Sequence, residues 1–181
     1  MTAERTTTTM SLISRLFRSA PDPREGLRPL WHRIVALSRE PEWYAECGVA
    51  DSVAGRFDMI STVLALVLLR LERDGGRQAH SALLTELFVE DMDGQLRESG
   101  VGDVVVGKRM GRLMAVLGGR LGAYRSALAE DGNAALEDAL RRNVTLLEGR
   151  GPEALAARLR DLHRQLRDVA TDDLLTGRIE R

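Results

Sequence analysis

Apolar residues recur along most of this chain at three- and four-residue steps, the spacing of a helix face. The stretch "PLWHRIVALSRE" carries Leu30, Trp31, Ile34, Val35 and Leu37, and Pro29 suits a first helical turn. Pro41 ends that helix and opens a short one, "PEWYAEC", which Gly48 stops. Asp51 reads as the N-cap of a helix from Ser52 to about Arg73. That helix is apolar nearly all round, the mark of an element surrounded by others. "DGG" at 74–76 breaks the chain. A helix from about Arg77 to Glu98 follows, with Leu83, Leu84, Leu87, Val89, Met92 and Leu96 as its apolar set, closed by Gly100. Asp103 is expected to cap a helix running to about Ala129, and Asn133 one running to about Arg142. After a looser stretch around 143–151, Pro152 starts an amphipathic helix with Leu155, Leu159, Leu162, Leu166 and Val169 along one face. The tail "TDDLLTGRIER" is ambiguous. No segment alternates as a strand would. The pattern predicts an all-α fold, a single-domain bundle of six or seven helices around a central apolar helix at about 52–73.

Residues 1–22, a Thr run followed by "APDP", read as a mobile leader to a helical domain at 23–181. Within the leader, "SLISRLFRS" sets Leu12, Ile13, Leu16 and Phe17 against Arg15 and Arg18. It reads as a frayed tail or a weak surface helix. The leader lacks the long apolar core of a secretory signal.

Composition narrows the function classes. The chain has 181 residues, 44% of them apolar and 29% charged, which is the balance of a globular domain. The net charge of −1 supplies no overall field for nucleic acid, and no nucleic-acid specificity is expected. Lys108 is the only lysine among the 26 basic residues. The single cysteine, Cys47, excludes an intrachain disulfide, and with three scattered histidines it forms no zinc spacing. The best candidate for a span, Met59 to Leu69, is uncharged for only 11 residues, against the about 20 apolar residues that a membrane span needs.

"GDVVVGKR", residues 102–109, has the G-x-x-x-x-G-K skeleton of a phosphate-binding loop. Arg109 stands where that loop needs a Ser or Thr to hold magnesium, and the residues upstream are helical rather than strand-like. A nucleotide site is therefore not expected. Glu86, Glu90, Asp91 and Asp93 cluster on one helix, but no Glu-x-x-His accompanies them, so no di-metal site is assigned. Asp93 and Arg97 are spaced for an i,i+4 ion pair. Serines lack the G-x-S-x-G turn and nothing local activates Cys47. No catalytic residue, metal or cofactor is assigned, and the chain does not read as an enzyme.

The helix from 103 to 129 has a different peculiarity. Gly107, Gly111, Ala115, Gly118, Gly122 and Ser126 form one stripe of small residues. A glycine inside a helix costs roughly 1 kcal/mol against alanine, so something must need the space. Close packing inside the bundle is one explanation, favoured for Gly118 and Gly122. A groove for a partner's helix is the other, favoured for the end carrying Lys108, Arg109 and Arg112. Arg120 is grouped with these basic residues around the stripe.

"YAECGVADSVAGRFDMI" (44–60), "EDMDGQLRESGVGDVVVGKRM" (90–110) and "GRLGAY" (119–124) together resemble the ubiquinol–cytochrome c chaperone family, assembly factors of the cytochrome bc1 complex. The likeness spans roughly 30–178. It departs from the family at Ala50, where proline is expected, and at Thr62, where histidine is expected nearby. The resemblance implies a helical, non-catalytic chaperone that binds newly made cytochrome b. A small partner protein and the ribosome are further partners it suggests. It implies a cytoplasmic protein peripheral to the inner membrane, or a matrix protein in mitochondria, attached through its client. Candidate client-binding residues are Asp91, Asp93, Arg97, Asp103, Lys108, Arg109 and Arg112. The alternative is a helical binder of an apolar small molecule: haem, quinone or lipid.

Overall fold

The computed structural model describes residues 22–75, 77–98 and 103–180, with side chains described outside 95–110. Residues 1–21 of the leader lie outside the described residues. After a single 3-10 turn at Glu25–Leu27, the helices are α1 (Arg28–Ser38), α2 (Pro41–Ala45), α3 (Val53–Arg73), α4 (Gln78–Glu98), α5 (Asp103–Ala129), α6 (Ala134–Asn143), α7 (Glu153–Asp168) and α8 (Thr171–Leu175). Six of these have ten residues or more and two have five. The fold is all-α, as the periodicity predicts. Among the described residues the nearest approach to a sheet is one bridge, Val49 to Leu146.

α3 is the axis. Every residue from Asp58 to Leu71 is buried, and α1, α4, α5 and α7 all pack against it. Each neighbour contributes one apolar face: Leu30, Trp31, Ile34 and Leu37 from α1; Leu84, Leu87, Phe88 and Met92 from α4; Leu155, Leu159, Leu162 and Leu166 from α7. An all-round apolar helix needs such a jacket, since burying a large aliphatic side chain is worth about 1.5–3 kcal/mol.

Helix ends are satisfied by side chains from outside the helix. The α1 carbonyls of Leu37 and Ser38 accept bonds from Trp43 Nε1 (2.7 Å) and Tyr44 Oη (2.8 Å), which fixes α2 against α1. Arg70 is buried. Its Nε donates to Leu166 O (2.9 Å) and its Nη2 to Val169 O (3.0 Å), closing the C-terminus of α7 with a cation.

Three capping expectations change. Ser52, not Asp51, caps α3: its hydroxyl accepts from Gly55 N at 3.2 Å, while Asp51 pairs with Arg56 at 2.7 Å. Asn133 sits at the N-cap position of α6 without capping it, because its Oδ1 accepts from Arg160 Nε at 2.8 Å. α5 begins at Asp103 itself rather than after it.

The loops at 48–50 and 144–147 are laced together. Ala50 N donates to Thr145 O (2.9 Å) and Leu147 N to Gly48 O (2.9 Å). A proline at position 50 would have no N–H to give, so the departure at Ala50 adds a hydrogen bond. Gly55 packs directly beneath this loop. A Cβ there would stand 2.0 Å from Ala50 O.

Candidate functional site

The small-residue stripe of α5 does not serve the core. Gly111, Ala115 and Gly118 are exposed, and a Cβ placed on Gly111, Gly118 or Gly122 would meet no heavy atom within 4 Å. This corrects the expectation that Gly118 and Gly122 pack inside the bundle. The buried face of α5 is carried by Leu117, Arg120, Tyr124 and Ala127, which lie on the opposite side of the helix. Gly107 lies where side chains are not described.

A groove of about 680 Å³ lies between α4 and α5, lined on the α5 side by Met114 and Leu121. Leu68 and Glu72 of α3 lie beneath it. Ala82, Thr85, Glu86, Val89, Glu90 and Asp93 of α4 form one wall, and Met114 and Leu121 of α5 the other. Gly118 falls between Met114 and Leu121 on the same helical face, so the wall dips at its middle. Met114 is 42% exposed and, with Val53 and Leu147, is one of three large apolar side chains exposed among the described residues. Four carboxylates and one guanidinium, Arg24, line the groove.

The candidate client residues are not all on this face. Asp93 lines the groove, whereas Asp91 lines a second hollow of about 670 Å³ between α1 and α4, with Trp31, His32 and Arg39. Arg112 is exposed on α5, two residues before Met114 and so on nearly the opposite side of the helix. The side chains of Arg97, Asp103, Lys108 and Arg109 lie outside those described. Among the described residues no three His, Cys, Asp or Glu side chains are placed to hold a metal ion. Cys47 is buried and free, and burial pushes its thiol above the ordinary range, which disfavours a nucleophilic thiolate.

On the core side of α5 lies a polar knot that sequence reasoning missed. Arg120, expected among the surface cations, is buried and paired with Asp58. Its guanidinium also donates to Ser61 Oγ and to Asn143 O (2.6 Å), and sits 5.6 Å from the Phe57 ring centroid. The second carboxylate oxygen of Asp58 accepts from Thr145 N (2.8 Å) and Thr145 Oγ1 (2.7 Å). One ion pair thus ties α3, α5 and the loop after α6. One turn along, Thr62 Oγ1 lies 3.1 Å from Tyr124 Oη; burial is the main force raising that phenol's pKa. The only sequence signal for the knot was "GRFDM" and "GRLGAY" appearing in the same resemblance.

A third hollow, of about 410 Å³, lies where the ends of α3 and α5 meet α7 and is lined by Arg73, Arg125 and His163. Burial lowers the pKa of His163, and Arg167, Arg160 and Arg73 lower it further.

Comparisons with known proteins bear on this arrangement. Residues 45–181 match the family model described as ubiquinol-cytochrome C chaperone. The chain also matches the crystal structure of the Cbp3 homolog from Brucella abortus. The two are 33% identical with a TM-score of 0.75, over 93% of this chain and 95% of that one. No curated protein matches the sequence significantly. Among the described residues no helix is long and apolar enough to cross a membrane.

Proposed function

This chain belongs to the ubiquinol–cytochrome C chaperone family, and from that premise we propose that the α4–α5 groove receives an apolar helical segment of unassembled cytochrome b. The observation that carries this reading is the open glycine face of α5, where Gly111, Gly118 and Gly122 have nothing within 4 Å of an added Cβ. Interior glycines weaken a helix by roughly 1 kcal/mol each. Nothing inside the described chain uses the space they leave. A partner helix would use it, because small residues let two backbones approach closely. The apolar wall of Val89, Met114 and Leu121 supplies the contact area beside it.

Holding an apolar segment until assembly requires shape and reversible burial, with no bond made or broken. The chain is accordingly assigned no catalytic residue and no cofactor. Arg112, with Lys108 and Arg109 upstream on α5, would flank the occupant as a cationic rim, and Asp93 would face it from α4. Attachment to the membrane would come through the client. A haem, quinone or lipid, the other occupant considered, would need to be largely enveloped. The exposure of Met114 suits an elongated occupant better.

The test is Gly118→Leu in the full chain. The branched side chain enters open space, so the fold should persist while co-purification of cytochrome b is lost. Retained capture by the folded variant would overturn the assignment of the groove.

A further inference from the structure

We infer that the third hollow, where the ends of α3 and α5 meet the flank of α7, is a cationic seat for the phosphate headgroups of an anionic membrane. α7 builds most of it. Arg160, His163, Arg164 and Arg167 stand at i, i+3, i+4 and i+7 and so share one face of that helix. The end of α3 adds Arg73 and the end of α5 adds Arg125.

Two of these arginines are neutralised where they stand. Arg125 is held by Glu72 at 2.8 Å, and Arg164 pairs with Asp161. Three keep their charge. Among the described residues no carboxylate lies within ion-pair distance of Arg73, Arg160 or Arg167. Arg160 donates to Asn133 Oδ1 (2.8 Å), Ala127 O (3.3 Å) and Gly132 O, neutral acceptors that fix the guanidinium without cancelling its charge. Arg73 and Arg167 are exposed. The three charges converge on one place: after burial, Arg167, Arg160 and Arg73 are what lower the pKa of His163. Like charges gathered this closely repel one another until an anion joins them.

The rest of the lining says which anion. Leu69, Leu128 and Ala129 form an apolar floor beside the cations. Guanidinium groups above apolar surface match the headgroup layer of a bilayer, where phosphate overlies hydrocarbon. Among the described residues no aromatic ring lines the hollow, so the bases of a single-stranded RNA would find nothing to stack on. Glu72 lines both this hollow and the α4–α5 groove. Seating the hollow on a bilayer therefore brings one end of the groove to the membrane surface. The inference goes beyond the proposed function by adding a direct contact to the attachment made through the client.

The test uses the full chain and no client, so its outcome is independent of what the groove holds. Purified protein is floated with vesicles of phosphatidylglycerol and phosphatidylcholine in equal parts, and with vesicles of phosphatidylcholine alone. It should float with the first and not the second, and raised salt should release it. Arg73→Gln with Arg167→Gln should weaken partitioning about fivefold for each cation removed. The melting temperature of that variant should stay near wild type, since neither side chain holds a partner in the fold. Arg141→Gln with Arg142→Gln makes the same change of charge at the far end of α6 and should leave partitioning near wild type. No flotation, equal flotation with both vesicles, or undiminished partitioning of the Arg73, Arg167 variant would each overturn the inference. An equal loss in the α6 variant would assign the binding to overall charge and overturn it as well. Retention by single-stranded RNA through Arg73 and Arg167, without flotation, would give the face to nucleic acid instead.

Discussion

At the residue scale, the decisive pair is Asp58 and Arg120. Its members are 62 positions apart and both are buried. Removing one partner leaves a buried charge with its desolvation uncompensated, which costs about 3–5 kcal/mol. Asp58→Ala should therefore lower the unfolding free energy obtained from urea curves by that amount. A loss below about 1 kcal/mol would mean that the knot behaves like a surface pair. Spacing could not have revealed this contact. The i,i+4 rule pairs neighbours on one helix, whereas the partners of Arg120 come from α3 and from the end of α6. Arg120 therefore read as one more cation beside the glycines. His163 gives a second test, of pH. Its folded pKa lies below the ordinary value of about 6.5, so the unfolded chain binds its proton more readily. Stability from this group is complete above about pH 6.5 and declines as pH falls toward the depressed folded value. His163→Gln should flatten the melting temperature between about pH 7 and pH 5.5, and an unchanged slope would contradict the assignment.

At the element scale, glycines in two helices should respond with opposite sign. Gly118→Ala adds a methyl group in open space and removes backbone freedom from the unfolded chain, so stability should rise by about 1 kcal/mol. Gly55→Ala drives a methyl into Ala50 O, and the loop that Ala50 shares with Thr145 must give way, at about 1–3 kcal/mol or more. Thermal melts of both variants decide the matter. Helix placement itself was legible because α1, α3, α4 and α7 obey the 3.6-residue period and are bounded by Pro, Gly or a polar cap. The stripe on α5 was legible as a pattern, but its direction was not. A row of small residues faces inward or outward with equal ease, and only the larger residues on the opposite side, Leu117, Arg120 and Tyr124, settle which face the core takes. Caps were the least legible feature. Asp51 and Asn133 are both good capping residues, and both are drawn off by an arginine, Arg56 and Arg160.

At the scale of the whole molecule, a fully jacketed α3 leaves the pairing of α4 with α5 as the place where apolar wall and open backbone meet the surface. The family likeness was legible because its residues are structural. Gly55 lies under the loop, Tyr44 bonds Ser38 O, and Asp58 and Arg120 close the knot. The groove was not legible, since it is assembled from positions in three helices with no motif of their own. The central claim is that this groove holds cytochrome b, and the most direct measurement compares wild type with Gly118→Leu in the same cells. Each is affinity-captured from solubilised membranes, cytochrome b in the eluate is quantified by mass spectrometry, and the melting curve of each is recorded. The account predicts a melting temperature close to wild type together with loss of cytochrome b from the Gly118→Leu eluate. An intact fold with undiminished cytochrome b would contradict it.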